Sequence, residues 1–101
     1  MKAAWALAAL ALAAGPAAAQ TADAEAGADI ATRWCGICHV VGEDAGAGRP
    51  SDAAPPLVTV ARMHDASFLR GFLTRPHGNM PQLDLTTREI EQIIAYLATL
   101  R

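Results

Sequence analysis

The sequence predicts an all-α domain in which a few short helices are joined by long irregular loops. Three observations lead there. Thr86-Thr87-Arg88-Glu89 is a capping box, and it opens a segment in which Ile90, Ile93, Ile94, Leu97 and Leu100 recur at helical spacing. Glycine and proline clusters punctuate the rest of the chain and keep its helical stretches short. Leu57–Ala61 is the single strand-like run, too short and isolated to found a sheet.

The first 19 residues read as an export signal rather than as part of the domain. Lys2 forms a minimal positive region, Ala3–Ala14 an apolar stretch of Ala and Leu with one Trp, interrupted by Gly15-Pro16. Ala17-Ala18-Ala19 supplies the small residues a signal peptidase needs, with Gln20 as the new N-terminus. The alternative is an uncleaved anchor, but the apolar stretch is short for a span, and no nearby cysteine indicates a lipoprotein. The expected division is a signal peptide over residues 1–19 and a mature domain over 20–101, exported to a bacterial periplasm without stable membrane insertion.

Charge excludes one class of partner. The 101 residues carry a formal charge of −2, and Lys2 is the single lysine. The mature chain therefore opposes seven arginines to ten acidic residues, a net −3. Nothing supplies the basic stripe that a nucleic-acid binder needs. The hydrophobic fraction of 52% is inflated by the leader, yet what remains is ordinary for a folded domain rather than a disordered one. At about 80 residues such a domain buries little more than ~60% of its unfolded surface, so a staple is expected.

Within the domain, Ala24–Trp34 predicts a first helix with Gly27, Ile30, Ala31 and Trp34 on one face. Gly42–Ala54 reads as a loop, and Pro55-Pro56 excludes helix at its end. Met63 is expected in the core. Asp65 is placed to cap a helix over Ala66–Thr74 with Phe68, Leu69, Phe72 and Leu73 on one stripe, ended by Pro76. His77–Asp84 is a second loop before the C-terminal helix.

The chemistry is concentrated at Cys35-Gly36-Ile37-Cys38-His39, which holds both cysteines. Residues three apart on a helical turn have Cβ atoms about 5–6 Å apart on the same side. Two such thiols can add to two haem vinyl groups, with His39 next in line as an iron ligand. Gly36 lets the backbone turn closely. Trp34-Cys35-Gly36-Ile37-Cys38 also looks like a thioredoxin-type redox pair, a reading that requires βαβ units around it. A disulfide would close so short a loop that it constrains little. A zinc site would need two of His39, His64 and His77, at spacings that fit no standard finger.

A second ligand is expected from His77-Gly78-Asn79-Met80-Pro81, about forty residues later. Gly78 permits close approach and Pro81 restrains Met80 to extended geometry, so a soft thioether is presented by a stiff loop. His77, and less so His64, are the alternatives, giving bis-histidine ligation.

These residues, with Ala54-Pro55-Pro56-Leu57 and Ile94-Ala95-Tyr96-Leu97, stand in the order seen in small monohaem class I cytochromes c, which the mature chain resembles from about Ala24 to Arg101. The resemblance implies a cytochrome c-like fold, with N- and C-terminal helices crossing and a short helix and long loops wrapped around one covalently bound haem c. It implies that Cys35 and Cys38 attach the haem, that His39 and Met80 bind its iron, and that the Pro55 carbonyl accepts from the other His39 nitrogen. Gly27 looks like the glycine where the terminal helices cross, near Tyr96. Two departures stand out. Ala31 occupies a place where many members carry an aromatic, and the lysine-free mature chain lacks the lysine ring by which mitochondrial relatives dock.

The implied function is that of a soluble, monomeric electron carrier, not an enzyme, which exchanges electrons with redox partner proteins and cycles Fe(III)/Fe(II) with both axial positions filled. The alternatives are a haem enzyme or a gas or peroxide sensor in which Met80 is displaced, and an exported thiol–disulfide oxidoreductase without haem.

Overall fold

The C-terminal helix forms where its first turn satisfies its own backbone. Thr86 accepts from the Glu89 amide at 3.1 Å while the Glu89 carboxylate accepts from the Thr86 amide at 2.9 Å. This reciprocal cap opens the helix over Thr87–Ala98. In the same way the Asp65 carboxylate accepts from the Phe68 amide at 2.8 Å and opens a helix over Ala66–Thr74.

The computed structural model describes residues 2–42, 54–76 and 78–101. In chain order its helices are α1 (Lys2–Trp34), α2 (Leu57–Met63), α3 (Ala66–Thr74) and α4 (Thr87–Ala98), with a single 3-10 turn at Cys35–Ile37 directly after α1. No strand occurs among the described residues, as expected for an all-α domain. The loop expected over Gly42–Ala54 lies, apart from its two ends, outside them.

α1 and α4 share the largest interface, α4 also contacts α2 and α3, and the core lies between these elements. Ile30 and Ala31 of α1 pack with Ile90, Ile93 and Leu97 of α4; Leu57, Ala61, Leu69 and Leu73 join from α2 and α3. Gly27 is what lets the two long helices meet. A Cβ at that position would lie 2.5 Å from the Gln92 carbonyl carbon and 2.9 Å from Tyr96 Cβ. The helices cross with backbone against backbone.

Four expectations are corrected. Leu57–Ala61 is not a strand but the body of α2. The local β preference of Val58, Thr59 and Val60 is overridden because Pro56 caps the helix and the Leu57 amide donates to the Val40 carbonyl at 2.9 Å, which buries Leu57 and Ala61 one turn apart. Met63, two residues beyond Ala61, therefore points away from the core and is 71% exposed. Trp34 is 56% exposed as well, since Cys35, four residues after Ala31, takes the inward place. Lastly, α1 is longer than the predicted Ala24–Trp34 and runs on through Pro16. Its flanks are rich in alanine, the strongest helix former, which offsets one lost amide.

The stripe expected on α3 splits. Leu69 and Leu73 are buried, whereas Phe68 is exposed and stacks between His64, with ring centroids 4.0 Å apart, and Phe72, at 5.8 Å. A paired ion bridge, Arg70 to Glu91 at 2.5 and 3.1 Å, ties α3 to α4 on the outside.

Candidate haem site

The site begins where α1 tightens. The Cys38 and His39 amides both donate to the Cys35 carbonyl, at 3.1 and 2.8 Å, so the chain wraps once around Cys35 and carries all three side chains on a single turn. The two thiols are unbridged; Cys35 is buried and Cys38 exposed. Burial pushes the Cys35 thiol above its ordinary range.

His39 is oriented from across the fold. Its Nδ1 lies 2.6 Å from the Pro55 carbonyl oxygen. A carbonyl can only accept, so Nδ1 carries the proton and Nε2 is left with a free lone pair, the form of imidazole a metal takes. The Leu57 amide bond to the Val40 carbonyl lies beside it and holds the two backbone segments in register. The proline carbonyl expected beside His39 is thus found there.

Met80 arrives from the loop between α3 and α4, half-buried and packed against the core cluster to which Cys35 belongs. Gly78, at φ +72°, makes the turn before it. Of the alternative ligands, His64 follows α2 and is engaged with Phe68, its carbonyl accepting from Arg101 at 3.0 Å. His77 lies outside the described residues. Among the described residues, no three His, Cys, Asp or Glu side chains come together as an ion site. The described helices contain no βαβ unit of the kind a thioredoxin-type arrangement requires.

Two supports were not foreseen. Tyr96 of α4, besides packing at Gly27, takes a hydrogen bond from the Gly42 backbone just beyond the motif. Burial above all, and then the neighbouring Cys35 sulfur, raise its hydroxyl above the ordinary value, with the Gly42 bond pulling the other way. Gly42 itself has φ +80°, a conformation that favours glycine. The other is Gln82, whose side-chain amide donates to the Thr74 carbonyl at 3.1 Å. Nothing in the local sequence marks Gln82, because its partner is a backbone atom at the end of another helix.

The donor set fits a covalently held haem: two unbridged thiols and an imidazole with a free Nε2 on one turn, and a thioether on a loop packed against the same core. That fold and donor set define a c-type cytochrome. A family model described as cytochrome c oxidase, cbb3-type, subunit III matches residues 22–97. Cytochrome c-552 of Bradyrhizobium diazoefficiens is 43% identical over 94 residues, spanning 91% of this chain and 88% of the relative. No solved structure matches the chain with significance. The chain belongs to this cytochrome c family and is an electron carrier with a covalently bound haem c, which gives it redox partners to exchange electrons with. No helix among the described residues is long and apolar enough to cross a membrane.

Proposed function

We propose that this cytochrome binds one haem c through thioethers from Cys35 and Cys38, with His39 and Met80 as the iron's axial ligands, and that it is a monomeric one-electron shuttle of the periplasm and not an enzyme. The observation that carries this reading is the His39–Pro55 hydrogen bond at 2.6 Å. It leaves Nε2 as the ligating nitrogen and restrains the ring against rotation. When bound, the haem supplies a reversible Fe(III)/Fe(II) couple.

The chain's own contribution is to hold both axial donors in place before and after the electron moves. His39 is held by the Pro55 carbonyl and by the turn around Cys35. Met80 is held by its packing on the core and by Pro81, which keeps it extended. A thioether opposite an imidazole raises the reduction potential and leaves no open position for a substrate. Residues 1–19 serve as the export signal and 20–101 form the carrier domain, a division supported by Lys2, the Ala/Leu stretch and the Ala17-Ala18-Ala19 site. The net −3 charge of the mature chain favours partners with basic faces, docked weakly and with strong salt dependence, and disfavours nucleic acid.

The test is Met80→Ala in the purified holoprotein. It is expected to abolish the methionine-to-iron charge-transfer band, lower the potential and admit cyanide or carbon monoxide rapidly, whereas wild type binds them slowly. Retention of the band in Met80→Ala refutes the ligand assignment. Rapid gas binding by wild type makes the protein a sensor or enzyme instead.

A further inference from the structure

The loop that carries Met80 is fastened at a third point besides its two ends. It leaves α3 at Thr74 and enters α4 at the Thr86–Glu89 capping box. Its backbone passes through the left-handed region at Gly78 (φ +72°) and again at Asp84 (φ +53°). Between these two turns Met80 packs inward, as does Leu85 just beyond the second. Gln82 does not. Its side-chain amide reaches back eight residues and donates to the carbonyl of Thr74, the last residue of α3.

That carbonyl is one of the unsatisfied acceptors at the end of a helix, so it is free to take a side-chain donor. The anchor point is itself fixed. Thr74 donates through its hydroxyl to the Arg70 carbonyl at 2.8 Å, and Arg70 holds Glu91 of α4 through both guanidinium contacts. A line of polar contacts thus runs from α4 through α3 to the residue two positions after Met80.

We propose that Gln82 is a positioning residue: its bond to the Thr74 carbonyl closes the ligand loop on itself and sets how readily Met80 leaves the iron. This rests on Met80 being the axial ligand. Pro81 lies between the two residues and has a fixed φ, so a displacement of residue 82 is passed to Met80 with little slack. Gln82 is exposed, and its removal leaves the core untouched. The loop opens when the Gln82 bond and the iron–sulfur bond are both broken. Losing the first lowers the barrier to losing the second.

The experiment uses ferric holoprotein and imidazole, which binds only after the thioether has left. Gln82→Glu keeps the size of the side chain but has no donor at neutral pH, and Gln82→Ala removes the side chain altogether. A neutral hydrogen bond of ordinary strength corresponds to imidazole binding about threefold to tenfold faster in both variants at pH 7. The substituted carboxyl regains a donor when protonated, so the Gln82→Glu rate, taken as a ratio to wild type at each pH because imidazole itself protonates below about pH 7, is expected to fall towards one through the carboxylate range, while the Gln82→Ala ratio stays raised. A structural weakening of the loop alone would give both variants the same pH profile. Wild-type rates in both variants, with the methionine band present throughout, overturn the role of Gln82 and leave the ligand assignment standing. Absence of the band from wild type overturns the ligand assignment and the role of Gln82 with it.

Discussion

Gly27→Ala is a one-carbon change whose cost is set by what that carbon meets. The added Cβ would sit 2.5 Å from the Gln92 carbonyl carbon, where ordinary contact begins near 3.5 Å, and 2.9 Å from Tyr96 Cβ. Neither neighbour is the free end of a side chain. Relief requires α4 to move off α1 by roughly 1 Å, and a gap of that size forfeits about a quarter to a half of the dispersion energy across it. Overpacking of this kind costs about 1–3 kcal/mol. The backbone contact places Gly27 at the upper end, offset by about 1 kcal/mol because alanine is the better helix former. The net loss is about 2 kcal/mol. For a domain of this size that lowers the melting temperature of the holoprotein by roughly 8–16 °C. The same substitution at Gly71, in the middle of α3 with nothing within 4 Å of the new carbon, has the opposite sign and adds about 0.5–1 kcal/mol. Thermal unfolding of both holoproteins measures the pair. A Gly27→Ala variant that melts at or above wild type refutes the close crossing of α1 and α4.

With Cys35 and Cys38 attaching the haem as proposed, replacing both by Ala is expected to leave little folded protein, because the small core loses its staple; a normal yield of folded, colourless protein from periplasmic extracts counts against that dependence. Met63→Leu leaves the spectrum unchanged and shifts stability by less than about 0.5 kcal/mol, since Met63 is exposed, as chemical denaturation of the holoprotein can check. The hydrogen bond and charge of Arg70 hold the Glu91 carboxyl below its ordinary value of 4.5, and the Thr86 cap does the same for Glu89. A carboxyl lowered by folding stabilises above its unfolded value and loses that contribution as pH falls through the folded one. The melting temperature therefore drops on acidification below about pH 4.5, and Arg70→Gln makes the drop shallower; equal slopes for both proteins at low salt contradict the contribution of the ion pair.

What could be read from the sequence was what depends on neighbours in the chain. The Asp65 and Thr86 caps join groups three residues apart, and the attachment turn closes within five residues, so local pattern sufficed. Gly27 was legible through the family resemblance, which makes it the glycine where the terminal helices cross, and its place on an apolar face agreed with that. The errors lie where a distant partner decides. Val58, Thr59 and Val60 favour a strand by themselves, and the Val40 carbonyl that receives Leu57 is many residues away. Trp34 and Met63 end their helices, where a shift of one residue turns a side chain from core to solvent. Gln82 was invisible because its partner is a carbonyl, and every residue has one.

The bond that orients His39 has an acceptor that no substitution can delete. Pro55 contributes its backbone oxygen, so exchanging the side chain at 55 leaves the contact chemically intact and changes only how stiffly the segment is held. The histidine end is variable and the other is not. Random mutation can therefore reach the orientation of the imidazole through His39 itself or by shifting the whole 54–57 segment, as a lost Leu57–Val40 contact would. Over evolutionary drift this arrangement acts as a buffer. A substitution at position 55 leaves the imidazole its tautomer. With His39 on the iron as proposed, the ring's orientation is thus set by an acceptor that every residue type at position 55 would supply.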